Sequence, residues 1–138
     1  MPICRDNLQK LSTMLRQTFG EDLLAKAIAR DASNLDADIV VIDGIRRLSD
    51  IGHLIDLNNF ILIGVDADPK IRYQRLVERN ENAGDDKKTF ADFLQDQETE
   101  ADRQIPEVIK MAKEKIDNSG SWEDLIKKID EIVAKINN

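Results

Sequence analysis

Two patterns of apolar residues alternate along the chain. Leu8, Leu11, Met14, Leu15 and Phe19 recur every three or four positions, which predicts an amphipathic helix. Asp6 or Asn7 can cap its start, and Gly20 is a natural stop because glycine enters the left-handed region without strain. Leu23, Leu24, Ala27 and Ile28 predict a second helix, followed by a loop at Ser33-Asn34-Leu35-Asp36. Residues 39–42, Ile-Val-Val-Ile, and residues 60–65, Phe-Ile-Leu-Ile-Gly-Val, are apolar without alternation. Such runs predict strands covered on both faces, as in a parallel sheet. A helix is expected over 48–57, and another from Asp68-Pro69 to Arg79, with Asp68 as cap and Pro69 in the first turn. Thr89 with Asp92, and Ser121 with Asp124, have capping-box spacing and open two further helices. Ile105-Pro106 starts another helix or kinks a longer one, and 115–117 reads as a short third strand. Leu125, Ile129, Ile132, Val133 and Ile136 line the last helix. Strands alternating with helices predict an α/β fold, a three-layer parallel sheet flanked by helices, in one domain over 1–138.

Composition narrows the function classes. At 138 residues the chain is long enough to bury a core without disulfides or a structural metal. It carries 20 basic and 27 acidic side chains, a net charge of -7, which argues against broad nucleic-acid binding. The single Cys4 excludes an internal disulfide and a multi-cysteine zinc site, and the single His53 excludes histidine-rich metal sites. No apolar stretch approaches the roughly 20 residues that cross a bilayer, so no membrane partner is expected. The first residues do not read as a signal peptide, and the expected compartment is the cytoplasm.

The most informative segment is Asp43-Gly44-Ile45-Arg46, directly after an apolar run. In open parallel sheets, ligands bind beyond the carboxyl ends of the strands. An acid there can hold Mg²⁺ through water, and a nearby arginine can reach a phosphate. The same four residues also make an ordinary turn. Arg72, Arg75 and Arg79 share one helical face and, with Lys87 and Lys88, form a basic cluster in an acidic chain. Their alternative is a solvated face balanced by Glu78 and Glu81. Asp92, Asp96, Glu98, Glu100 and Asp102 read as a solvated acidic face, His53 as structural, Trp122 as packing, and Cys4 as no nucleophile.

Taken in order, these segments resemble the nucleotide-kinase branch of the P-loop fold, closest to dephospho-CoA kinase and deoxynucleoside monophosphate kinases. Residues 5–10 through 20–22 resemble the acceptor-side helix and turn. Asp43 to Arg46 resembles the second acidic motif. Val65-Asp66-Ala67-Asp68-Pro69 with the three arginines resembles the strand and helix leading to the lid, and 116–121 the late loop near the adenine. The resemblance implies Asp43, Arg75 and Arg79 as catalytic residues, with Asp43 also serving the metal. It implies Arg5, Gln9, Arg16, Arg46 and Arg72 on the acceptor, and Asn118 and Gly120 on the nucleotide, with Mg²⁺ and ATP as cofactors. Arg5 has a second support, because it precedes a helix start, where anions are favoured. For Arg16 an exposed helix surface is the competing reading.

The departure from the family is a missing G-x-x-x-x-G-K-[S/T], the backbone cradle and lysine that hold the β- and γ-phosphates. The match begins inside the family pattern, so the expected fold is P-loop kinase-like without the first strand and P-loop. Phosphoryl transfer depends on positioning and charge stabilisation, so ATP binding and turnover are expected to be weak or absent. The expectation is therefore a nucleotide kinase-like protein that is inactive or incomplete. The alternative is a non-catalytic nucleotide- or phosphate-binding or interaction protein of that descent. Without a central strand, 39–42 and 60–65 need cover. Direct pairing of the two is the favoured solution, another segment can fill the gap, and a homodimer can hide remaining apolar surface.

Overall fold

The computed structural model describes residues 5–81, 84–99 and 102–136, with side chains from Asn7 onward. The elements run α1 (Arg5–Phe19), α2 (Leu23–Ser33), α3 (Leu48–Ile51), β1 (Ile63–Asp66) and α4 (Pro69–Arg79). After a 3-10 turn at Asp85–Lys87 come α5 (Phe90–Asp96), α6 (Ile105–Met111), β2 (Glu114–Asp117) and α7 (Trp122–Ile136). The class is α/β, with seven α-helices and one small parallel sheet of two strands among the described residues. The chain forms two compact units, one of Met1–Phe60 with Glu98–Val108 and one of Ile61–Gln97 with Ile109–Asn138.

In the first unit, Ala25, Ala29, Ile51, Leu54 and Val108 form the buried apolar set. Gly20 adopts φ 108°, and its amide closes α1 on the Arg16 carbonyl at 2.9 Å. The α1 stripe is a correction to the sequence reading. Leu8, Leu11, Met14 and Phe19 are exposed, and among the described side chains of α1 the buried one is Arg16. A guanidinium enters because a carboxylate is waiting for it, as described below.

The expected strand at 39–42 is a second correction. These residues carry no strand, and Val41 is 85% exposed. A β conformation needs a neighbour to bond its amides and carbonyls, and among the described residues no backbone hydrogen bond is made by 39–42. Direct pairing of 39–42 with 60–65 is therefore not the arrangement found. The helix expected over 48–57 is also shorter. It keeps only α3 and continues as turns through Asn59, which takes a left-handed φ of 63°.

In the second unit, β1 lies parallel to β2 in the register Ile63 to Glu114 and Asp66 to Asp117. Pairing starts one residue earlier, where the Leu62 carbonyl accepts from the Lys113 amide at 3.1 Å. The sequence places the helix starts here well. Asp68 Oδ1 accepts from the Lys70 amide at 2.8 Å with Pro69 in the first turn, and Asn80 ends α4 in the left-handed region. Thr89 and Asp92 form a reciprocal capping box on α5. Ser121 and Asp124 do the same for α7. Ala67, Phe93, Ala112, Ile116 and Ile132 are buried in this unit. Tyr73, Phe90 and Phe93 meet with ring centroids 5.4 to 6.1 Å apart. Trp122, expected to pack, is 68% exposed. No helix among the described residues is long and apolar enough to cross a membrane.

Gly64 is the point of closest packing in β1. A Cβ there would sit 3.1 Å from Ala112 Cβ and 3.2 Å from Ile109 Cγ2. Gly64→Val should destabilise this unit by about 1–3 kcal/mol through overpacking, read as a lower urea midpoint at unchanged slope. An unchanged midpoint would mean that α6 yields freely to the larger side chain.

Candidate functional site

The Asp43 to Arg46 segment is built by charges more than by apolar contact. Asp50, in the first turn of α3, is buried together with Arg16, and Arg16 Nη2 lies 2.6 Å from Asp50 Oδ1. The second carboxylate oxygen accepts from the amides of Arg46 and Arg47 at 3.1 and 3.0 Å. Arg16 also donates through Nη1 to the Glu21 carbonyl, and weakly through Nε to Ser12 Oγ at 3.4 Å. One ion pair thus joins α1, the turn before α2 and the chain entering α3. Buried charges are tolerated when hydrogen bonds surround them.

Asp43 and Arg46 sit on the exposed side of this frame. Asp43 Oδ1 accepts from the Gly44 amide at 2.7 Å, and Gly44 takes φ 85°. Arg46 Nη1 pairs with Asp102 Oδ1 at 2.9 Å while the Arg46 side chain stays 45% exposed. The Leu48 amide donates to Gln104 Oε1 at 3.0 Å. Asp43 supplies one carboxylate, and no group of three or more His, Cys, Asp or Glu converges to hold a metal among the described residues. The donor set does not make a cage of its own for Mg²⁺. Gln9 is half-buried on α1. Cys4 and the Arg5 side chain lie outside the described residues.

His53, expected to be structural, is partly exposed and paired with a carboxylate. Its Nε2 lies 2.8 Å from Asp22 Oδ2, and Lys26 Nζ reaches the same oxygen at 3.0 Å. The His53 contact first, and Lys26 second, hold the Asp22 carboxyl down at about 2 against an ordinary 3.8.

The second unit gathers its polar groups where β1 and β2 end. The Asn118 amide donates to the Asp66 carbonyl at 2.7 Å, continuing the sheet by one bond. The Ser119 amide donates to Asp117 Oδ1 at 2.9 Å, and the Asp68 amide donates to Ser119 Oγ at 2.9 Å. Lys128 Nζ donates to the Asp117 carbonyl at 2.6 Å. Hydrogen bonding from Ser119, with Lys128 nearby, holds the Asp117 carboxyl below its ordinary value. A Cβ on Gly120 would meet Asp124 Oδ2 at 2.8 Å, the oxygen that caps α7, so glycine suits this position.

The three arginines of α4 share a face yet have different partners. Arg72 Nε donates to the Ala67 carbonyl at 3.0 Å, lies 3.6 Å from Asp66 Oδ1 and stacks over Phe93. Arg75 donates through Nη1 to the Asn118 carbonyl at 2.7 Å and through Nη2 to the Gly120 carbonyl at 3.1 Å. Arg79 pairs with Glu81 at 3.0 Å and is 65% exposed. The expected acidic face is also partly engaged, with Asp92 in the α5 cap and Asp96 on Lys88 at 2.5 Å.

Sequence reasoning placed Arg75 in the row leading to a lid and Asn118 and Gly120 in a separate late loop, whereas the structure joins them through the Arg75 guanidinium. Sequence reasoning also missed Asp50, Asp102 and Lys128. Asp50 and Asp102 act across long sequence separations, which local spacing does not encode. Lys128 is one of many lysines on the last helix and carries no distinguishing signal.

The arrangement defines an α/β protein in which a short parallel strand pair delivers a cation-braced loop beyond its carboxyl ends. The chain belongs to the UPF0200 family. It is 33% identical to a UPF0200 protein of Thermococcus gammatolerans over 141 residues, covering 99% of this chain and 73% of that one. Against a UPF0200 protein of Thermococcus kodakarensis the identity is 32% over 145 residues, covering 99% and 77%. Against one from Saccharolobus islandicus it is 27% over 133 residues, covering 95% and 70%. No protein-family model matches the chain.

Two predictions follow from this chemistry. Asp50→Ala leaves the Arg16 charge buried without its partner and should cost about 3–5 kcal/mol. Adding Arg16→Met should cost less than the sum of the two single changes in a urea-based double-mutant cycle. Strict additivity would show that the pair does not couple. Asp22 binds its proton less readily folded than unfolded, so its contribution is present above pH 3.8 and fades as the pH falls toward 2. The Asp22 carboxyl resonance should titrate near 2, and His53→Gln should move it up toward 3.8. A midpoint that ignores the His53 substitution would refute the assignment.

Proposed function

We propose that this UPF0200 chain is a nucleotide kinase-like protein that keeps nucleotide- and phosphate-contacting parts of a P-loop kinase fold but lacks the phosphate cradle. The observation that carries the reading is the loop 118–120, held at the joint carboxyl end of two parallel strands. That is where open α/β sheets take their ligands. The Asn118 side chain is half-buried at this end of the sheet. In this reading Asn118 and Gly120 contact the nucleoside. Arg79, exposed and paired only at the surface with Glu81, is the α4 arginine best able to change partner for a phosphate. In the first unit, taken by itself, Arg46 is the exposed cation read as holding an acceptor phosphate. Mg²⁺ enters only as the ion carried by the phosphates of ATP.

Chemistry limits what such a site does. Loose phosphoryl-transfer transition states need donors and a cation placed on the transferred group. The sequence holds no G-x-x-x-x-G-K-[S/T] to supply them, so binding without appreciable turnover is the expected behaviour. A second reading, a non-catalytic interaction protein that retains only the fold, is favoured by the exposed Ile39, Val40 and Val41.

Isothermal titration against Mg·ATP, dephospho-CoA and deoxynucleoside monophosphates separates the two. Saturable binding of one of these, weakened about tenfold by Arg79→Ala or Arg46→Ala, is the expected result, with no phosphorylated product in a coupled assay. Silence against all of them would remove the nucleotide reading and leave the interaction protein.

A further inference from the structure

We propose that Arg75 is the positioning residue of the loop 118–120, fixing its shape through two backbone carbonyls rather than touching a phosphate. The proposal rests on the nucleotide reading of that loop for its consequence, but not for its structural content. A guanidinium presents its N–H groups as a rigid planar fork. Here one fork spans two carbonyls that lie two residues apart, Asn118 at 2.7 Å and Gly120 at 3.1 Å. The carbonyl one step earlier, Asp117, is held by Lys128 from α7 at 2.6 Å. Three carbonyls in four consecutive residues are thus held by cations projecting from two helices.

The loop is tied to α4 at two places. Near the start of the helix, the Asp68 amide holds Ser119 Oγ at 2.9 Å, and Asp68 is also the residue that caps α4. Two turns along the helix, Arg75 holds the residues on either side of Ser119. With both ties present, the loop cannot pivot about Ser119. With only one it can, and the placement of the Asn118 side chain then becomes loose. Neither neighbour in the arginine row can substitute. Arg72 is held by Ala67 and Phe93, and Arg79 pairs with Glu81. Lysine at position 75 would offer one ammonium in place of a fork.

Amide hydrogen exchange on the full chain tests this, with wild type, Arg75→Lys, Arg75→Ala and Ser119→Ala compared. Exchange at Asn118, Ser119 and Ser121 should accelerate about tenfold in Arg75→Ala, less in Arg75→Lys and Ser119→Ala, while amides of the paired strands β1 and β2 keep their rates. Titration of the same variants with Mg·ATP should show the dissociation constant rising in the same order. Loop amides that do not respond would overturn the proposal. So would loop and strand amides accelerating together, since that reports general loss of stability. If wild type binds no nucleotide, the nucleotide reading falls, and the exchange comparison still decides the role of Arg75.

Discussion

The buried pair between Arg16 and Asp50 is the constraint on which the first unit depends. Moving two charges out of water is costly, and their attraction offsets that cost only when the remaining donors and acceptors are also matched. Here they are. Asp50 receives one guanidinium group and two backbone amides, and Arg16 reaches a carbonyl on the far side of Gly20. The result is directional in a way that apolar burial is not. A leucine in place of Arg16 could fill space, but it could not fix where residues 43–46 leave the frame. The exposed apolar stripe of α1 shows the same priority, since the helix turns its charge inward and leaves Leu8, Met14 and Phe19 outside.

The second unit solves a related problem with exposed cations and a strand pair. Two strands of four residues bury little, and a pair this small gains stability only against packed helices. Gly64 lets α6 approach β1 closely, and the aromatic cluster of Tyr73, Phe90 and Phe93 closes around α4 and α5. At the strand ends the chain must turn sharply into α7, and its carbonyls there have no ladder partner. Lys128 and Arg75 supply donors for them. The loop is therefore shaped by the helices on either side of it.

Membership in the UPF0200 family places the chain among relatives that match almost all of it, while it spans about three quarters of their own length. The functional reading rests instead on the geometry beyond β1 and β2 and on the arginine row of α4. Both are compatible with a protein that recognises a nucleotide. In the proposed reading, the absence of a G-x-x-x-x-G-K-[S/T] motif from this sequence separates recognition from catalysis, because groups that position a phosphate raise a rate only when they also meet the charge that develops in transfer.

What the sequence determined by itself was local. Asp68-Pro69, Thr89 with Asp92, and Ser121 with Asp124 act on amides two or three residues away, so each helix start was legible from spacing alone. Gly20 was legible for the same reason, since a positive φ is a property of one residue. The neighbourhood of Arg75 with 118–120 was not legible, because it joins residues more than forty positions apart. Tertiary structure alone decided the rest. A β-branched run becomes a strand only if a neighbour bonds its backbone, and residues 39–42 have none among the described residues. An arginine at a helix surface position becomes buried only if a carboxylate 34 residues away stands ready to receive it. Hydrophobic periodicity reports which residues could be covered, whereas pairing across the fold settles which ones are.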